Sequence, residues 1–287
     1  MITLLRRNQY FYPLVFGVWA LFLLVRFGNH RYFDVPPESA GYERGGGMSK
    51  VSMLHNSIVE LQKSLVDERR SPEKPHILQN IGCAYYDLYR EIGDRRLLDS
   101  AYVFFSQSIS EGPGNARFHY NLGRLFTEVN NQQGALQAYE MALKYEPAHI
   151  LALSNAGMCS YFAFGQKKAA AGYFGRALAI DSTLPMCHYV LGLIGLDEKD
   201  FAAARADFEK EVVAGRLAMA NNRLPIQRQN IMYAAGLAHR SLMTIYSSHF
   251  PDVLKANAHY EAYLSLETDP AKKEEAAQEM KKKWGKR

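Results

Sequence analysis

The 287-residue chain has little cysteine: three residues, Cys83, Cys159 and Cys187, with no CxxC spacing among them. An odd, scattered set excludes a fully paired disulfide framework and supplies no metal-ligand spacing, so each is expected as a small core residue. There is no GxxxxGK[ST] phosphate loop, no GxGxxG opening a helix after a strand, no GxSxG, no HExxH and no EF-hand loop. Without those motifs, no enzymatic activity, cofactor or metal is expected. Charge of one sign is also scarce. The 34 basic residues against 29 acidic ones leave a net +5, which describes a mixed, solvated surface, and neither nucleic acid nor a small-molecule substrate is expected as a partner. The nine histidines are dispersed, and His119 and His188 each stand three residues before a leucine on an apolar helix face, a core position.

Long apolar runs are absent except for one. From Asn8 to Val25 no residue is charged, with Arg6 and Arg7 before the run and Arg26 after it. As a helix it measures about 27 Å at about 1.5 Å per residue, enough for a thin bilayer. Arg26 to His30 offers no small-residue cleavage pattern, so residues 10–27 are expected to be an uncleaved single-pass anchor after a short tail, 1–9. The flanking charges nearly balance. The short tail favours translocation of the long C-terminal part, placing it outside the cytoplasm, while the odd cysteine count pulls the other way; a cytoplasmic-facing arrangement stays open. Residues 28–50, with Pro36-Pro37 and Gly45-Gly46-Gly47, cannot bury a core and are expected as a flexible linker.

The remainder is periodic. In 51–70, Met53, Leu54, Ile58, Leu61 and Leu65 fall on one helical stripe. Gly82, Gly123, Gly157, Gly192 and Gly236 come next, at separations of 41, 34, 35 and 44 residues, so one unit of two short helices is copied along the chain. The most regular copy is Arg117 to Pro147. There Tyr120, Leu122, Gly123 and Phe126 precede a break at Asn130 to Gly134, and Ala135, Tyr139 and Ala142 come after it, up to Pro147. With Asn80-Ile81-Gly82, Asn121-Leu122-Gly123, Asn155-Ala156-Gly157 and Leu191-Gly192 in first helices, and Ala101/Phe105, Ala135/Tyr139, Ala170/Phe174 and Ala204/Phe208 in second ones, the chain resembles the tetratricopeptide repeat (TPR) family.

That resemblance implies an all-α, right-handed solenoid of about five helix pairs, near 75–113, 116–149, 150–183, 184–217 and 230–270. It would be capped by the helix at 51–70 and by 271–287, whose Ala276, Ala277, Met280 and Trp284 would cover the last repeat. Gly and Ala would remove bulk where paired helices cross, and the aromatic one turn later would fill the space. Three departures stand out. The first repeat has about seven additional residues, expected as one turn on each helix. The third has one near Gly165, and the fourth runs into 215–230, read as a solvated connection with longer helices on either side or, alternatively, as a contact loop carrying Arg216, Arg223 and Arg228.

The resemblance also implies a groove lined by first helices, taking a protein or peptide partner. Its lining would be Asn80, Tyr86, Tyr120, Asn121, Arg124, Thr127, Asn155, Met158, Tyr161, Tyr189 and Leu193, with Gln79 and Cys83 beside them. The expected role is a membrane-anchored scaffold or chaperone-like adaptor in assembly of envelope, secretion or cytochrome complexes. An architectural subunit binding through the convex face or the 215–230 segment is the alternative.

Overall fold

A computed structural model describes residues 49–67, 72–112, 114–220 and 225–284. The expected tail and membrane anchor, and the linker up to Met48, lie outside the described residues, among which no helix is long and apolar enough to cross a membrane. The described chain is a succession of twelve helices: α1 (Lys50–Asp67), α2 (Lys74–Ile92), α3 (Arg96–Glu111), α4 (Ala116–Glu128), α5 (Gln132–Tyr145), α6 (Ile150–Met158), α7 (Lys167–Ile180), α8 (Cys187–Asp197), α9 (Phe201–Ala220), α10 (Pro225–Ser248), α11 (Val253–Leu266) and α12 (Pro270–Trp284). They fall into two compact units that divide between Glu198 and Lys199.

Helix starts are written locally. The side chains of Asn115 and Asn131 accept hydrogen bonds from the backbone N–H of Arg117 (2.9 Å) and Gly134 (3.0 Å), and His149 Nδ1 accepts from Ala152 N–H (3.2 Å). Each satisfies a donor that the first turn of a helix leaves open. The end of α2 is equally explicit. Gly93 adopts the left-handed conformation, φ 77°, and its N–H bonds Tyr89 O, a geometry that glycine meets without strain.

In the first unit α2 pairs with α3, α4 with α5, and α6 with α7. The crossing is the same each time. A Cβ placed on Gly82 would lie 2.5 Å from the Phe105 ring, on Gly123 2.6 Å from Tyr139, and on Gly157 2.9 Å from Phe174. The ring four residues after the alanine therefore occupies the space a first-helix side chain would need. Ala101, Ala135 and Ala170 are fully buried beside those rings. The stripe on α1 closes the open side of the first repeat, with Leu54 and Ile58 clustered with Ala84 and Leu88.

The departures from the regular repeat resolve differently from expectation. α2 continues ten residues past Gly82, where α4 continues five past Gly123, while α3 starts only two residues earlier relative to its alanine than α5 does. Most of the added length thus lies on the first helix, not equally on both, because Gly93 sets where α2 stops. The additional residue of the third repeat is absorbed by a π-turn, Cys159–Ala163, that continues α6 and precedes Gly165.

The second unit begins with α9. Of the two readings of 215–230, longer helices on either side is the one observed: α9 runs through Gly215 to Ala220 and α10 opens at Pro225. The run Arg216-Leu-Ala-Met-Ala consists of strong helix formers, and proline suits the first helical position. In this unit α10 packs on both α9 and α11. Gly236 departs from the tight crossing, its nearest non-local neighbour being Leu266 Cβ at 3.7 Å. α12 covers the end as expected: Ala276 and Met280 are buried, and Trp284 Nε1 donates to Ser247 Oγ (3.3 Å).

Candidate functional site

Successive first helices of the first unit, α2, α4, α6 and α8, carry the residues expected to line a groove. Taking the crossing glycine as origin, these sit three residues before it, two before it, one after it and four after it. The structure places Asn80, Arg124, Thr127, Asn155 and Met158 half-buried, at depths a ligand can reach. Tyr86, Tyr120, Asn121, Tyr161, Tyr189 and Leu193 are buried. Two of these rings, Tyr86 and Tyr161, join one repeat to the next. Their hydroxyls show why, since a buried tyrosine needs a polar partner and finds it on the following first helix.

Tyr86 Oη donates to Glu128 (3.4 Å), which also accepts from Tyr89 Oη (2.9 Å), and Tyr161 Oη donates to Asp197 (3.0 Å). In both cases a tyrosine four residues after one glycine meets a carboxylate five residues after the next. Burial is the first cause that raises the Tyr86 and Tyr161 phenols above their usual range, with the facing carboxylates acting the same way. Both stay protonated and keep donating at any ordinary pH. The second repeat has Thr127 in place of the tyrosine, and its hydroxyl turns to Tyr139 Oη (3.0 Å) within the pair. Removing one of these links, as in Tyr161→Phe, is expected to cost about 1 kcal/mol in urea unfolding, because solvent reaches Asp197 and takes over part of the lost bond. A double-mutant cycle with Asp197→Ala, which removes the acceptor, checks that the loss belongs to the pair.

Arg124 stands at the middle of this face. Its guanidinium lies 4.8 Å from the Tyr86 ring centre and 5.9 Å from that of Tyr120, within the range of a cation–π contact. Desolvation acts against its charge and the Asp87 carboxylate acts in favour, and the guanidinium stays protonated. Burial raises the Asp87 carboxyl, and Arg124 pulls the other way. Around them Asn121 Nδ2 on α4 donates to Cys83 Sγ on α2 (3.3 Å), and the buried Gln79 on α2 accepts from Ser108 Oγ on α3 (2.8 Å).

The three cysteines are free, Cys159 and Cys187 buried and Cys83 half-buried, in keeping with small packing residues. Burial pushes the Cys83 thiol up to about 11 and that of Cys159 to about 12, so neither supplies a thiolate at neutral pH. Among the described residues no three His, Cys, Asp or Glu side chains gather as metal ligands would.

Asp87, Glu128 and Asp197 were not singled out as groove residues by sequence reasoning. The signal was present, as an acid five residues after the glycine in the first, second and fourth repeats, where the third has Phe162. Of the arginines expected to make loop contacts, Arg216 is exposed on α9, Arg228 falls within α10, and Arg223 lies outside the described residues.

Comparison with known proteins agrees with this geometry. The tetratricopeptide repeat family matches residues 116–149, the copy with the tightest agreement to the 34-residue period. No curated protein matches the sequence. Among solved structures, BtubC (BKLC) from P. vanneervenii is similar over 77% of this chain and 93% of its own, at 14% identity and a TM-score of 0.56. The Pseudomonas aeruginosa protein pilF is similar over 80% of this chain and 100% of its own, at 14% identity and a TM-score of 0.53. YrrB, described as a TPR protein with an unusual peptide-binding site, is similar over 76% and 97%, at 15% identity and a TM-score of 0.51. At these identities the likeness is one of fold. The chain thus carries a tetratricopeptide repeat at 116–149 within an all-α, TPR-like solenoid of paired helices.

Proposed function

We propose that the chain is a protein-binding module whose first-helix face, across α2, α4, α6 and α8, takes an extended peptide or a partner's helix. The observation that carries this reading is the half-buried set Asn80, Arg124, Asn155 and Met158, with the two asparagines two residues before the crossing glycine and Arg124 and Met158 one after it. The amides of Asn80 and Asn155 suit a ligand backbone, and Arg124 and Met158 suit side chains or a carboxylate. The peptide-binding site named for YrrB, a structure of the same fold, supports the reading by analogy. With the apolar run at 10–27 as a membrane anchor, the module would act as a tethered scaffold or chaperone-like adaptor, in assembly of envelope, secretion or cytochrome complexes, with the repeats on the extracytoplasmic side. In-cell crosslinking followed by affinity capture tests the face. Partners captured by the wild type should be lost with Asn80→Ala, Asn155→Ala and Met158→Ala combined, and retained with Gln107→Ala and Gln137→Ala on the exposed side of the second helices. Equal capture by both sets would sink the proposal.

A second reading rests on α9, where Val213 and Leu217, each 53% exposed, lie one turn apart beside exposed Arg216. An apolar pair next to a cation fits an architectural subunit that contacts its complex through this extension. Loss of partners on changing Val213 and Leu217 to serine, with the first-helix variants unaffected, would favour it.

A further inference from the structure

The last helix pair carries two histidines in a place where the first pair carries two stacked rings. Tyr85 and Phe104 stand three residues after Gly82 and Ala101, and their rings stack at 5.6 Å and 13°. His239 and His259 stand three residues after Gly236 and Ala256, on α10 and α11. Their Nδ1 atoms are 2.9 Å apart and their ring centres 5.2 Å apart. The second distance equals the first plus the two ring radii, so the nitrogens face head-on along one line. That is the geometry of an N–H···N hydrogen bond, in which one Nδ1 carries the proton and the other accepts it. Lone pairs converging on a shared metal would meet at an angle and bring the ring centres closer than this.

The pair is enclosed. His239 is buried, and His259 is half-buried, with its ring stacked on Tyr246 at 5.6 Å and 8°. From α9, Arg216 and Glu209 face it, Glu209 being engaged by Tyr246 Oη at 2.6 Å. From α11, Lys255 lies over the Tyr246 ring at 5.1 Å. On α10, Arg240 turns away to Tyr263 and to Glu275 of α12, and Glu279 of α12 is bonded to Thr244. Two cations, Arg216 and Lys255, thus stand against one carboxylate already in use. A second proton between the rings would set two N–H groups against each other with no acceptor within the pair.

We propose that the His239–His259 pair makes the second unit acid-sensitive, holding α10 to α11 while both rings are neutral and releasing them when both are protonated. The direction is set by proton linkage. An unfolded histidine binds a proton at about 6.5. In the fold His239 is pushed down to about 4, first by burial, then by His259 and Arg216. His259 is lowered too, by burial first; Glu209 opposes the shift, and Arg216 and Lys255 reinforce it. A base whose folded value lies below its unfolded one contributes its full stability above about pH 6.5 and loses it as the pH falls towards about 4. At pH 4 the folded-to-unfolded ratio of the α10/α11 pair should have dropped on the order of 100-fold through His239 alone.

Hydrogen exchange on the full chain, corrected for the intrinsic pH dependence of exchange, reads this directly. Between pH 7.5 and pH 4, amides of α10 and α11 should lose on the order of 100-fold more protection in the wild type than in His239→Tyr/His259→Phe, which installs the ring pair of the first repeat. Equal losses in the two proteins would overturn the proposal. The imidazole proton resonances of His239 and His259, assigned by their loss in the single variants, give a second reading. Titration of both well below about 6.5 supports the proposal, and titration of either at about 6.5 or above contradicts it.

Discussion

Tyr139→Ala is expected to destabilise the first unit by about 3–5 kcal/mol, the cost of a large cavity in a close-packed site. Tyr139 is 1% exposed, fills the space above Gly123, packs at a tilt against Tyr120 with ring centres 6.0 Å apart, and bonds Thr127 through its hydroxyl. None of these neighbours can move in without opening another repeat contact. Tyr139→Phe separates the two contributions. It keeps the ring and loses only the hydroxyl bond, for about 1 kcal/mol. Urea unfolding followed by far-UV circular dichroism measures both. A loss under 1 kcal/mol for Tyr139→Ala would mean that the repeat core is not packed around this ring.

The glycines facing these rings give a prediction of sign. Alanine is favoured over glycine in a helix interior by about 1 kcal/mol, so on propensity alone every helical Gly→Ala change should stabilise. At Gly175, on α7, nothing lies within 4 Å of the added methyl, and Gly175→Ala should gain up to about 1 kcal/mol. At Gly123 the methyl would sit 2.6 Å from the Tyr139 ring, whose hydroxyl is bonded to Thr127 at 3.0 Å and which packs against Tyr120. Overpacking of about 1–3 kcal/mol then outweighs propensity, and Gly123→Ala should destabilise. The propensity gain is common to both sites, so the two variants are expected to differ by the overpacking alone, about 1–3 kcal/mol. Matching gains at both sites would refute the close crossing.

Much of the fold was legible because the crossing is chemically extreme. Gly followed by Ala and then an aromatic leaves few alternatives, and it recurs at Gly82/Phe105, Gly123/Tyr139 and Gly157/Phe174. The caps were legible for a similar reason, as Leu54, Ile58, Ala276 and Met280 each mark one apolar stripe. Helix lengths were less so. The end of α2 depends on Gly93 taking a left-handed conformation.

The candidate site was legible as a face but not in depth. A position four residues after the glycine marks Tyr86 and Tyr161 as pointing to the first-helix side, yet whether such a ring lies open or between repeats depends on its hydroxyl finding Glu128 or Asp197 in the next repeat. Those partners are more than thirty residues away in sequence. The histidine pair escaped for the same reason. Each histidine alone is a plausible core residue, and only the pairing of α10 with α11 brings His239 and His259 together.

Whether a partner binds on the first-helix face can be decided by site-specific photocrosslinking. A photoreactive residue is placed singly at Asn80, Asn155 or Met158 on that face, and at Gln107 or Gln137 on the other, and irradiated in the native cell. One common adduct is expected from the three first-helix positions and none from the two second-helix positions. Adducts from Gln107 and Gln137, with none from Asn80, Asn155 and Met158, would contradict binding on this face.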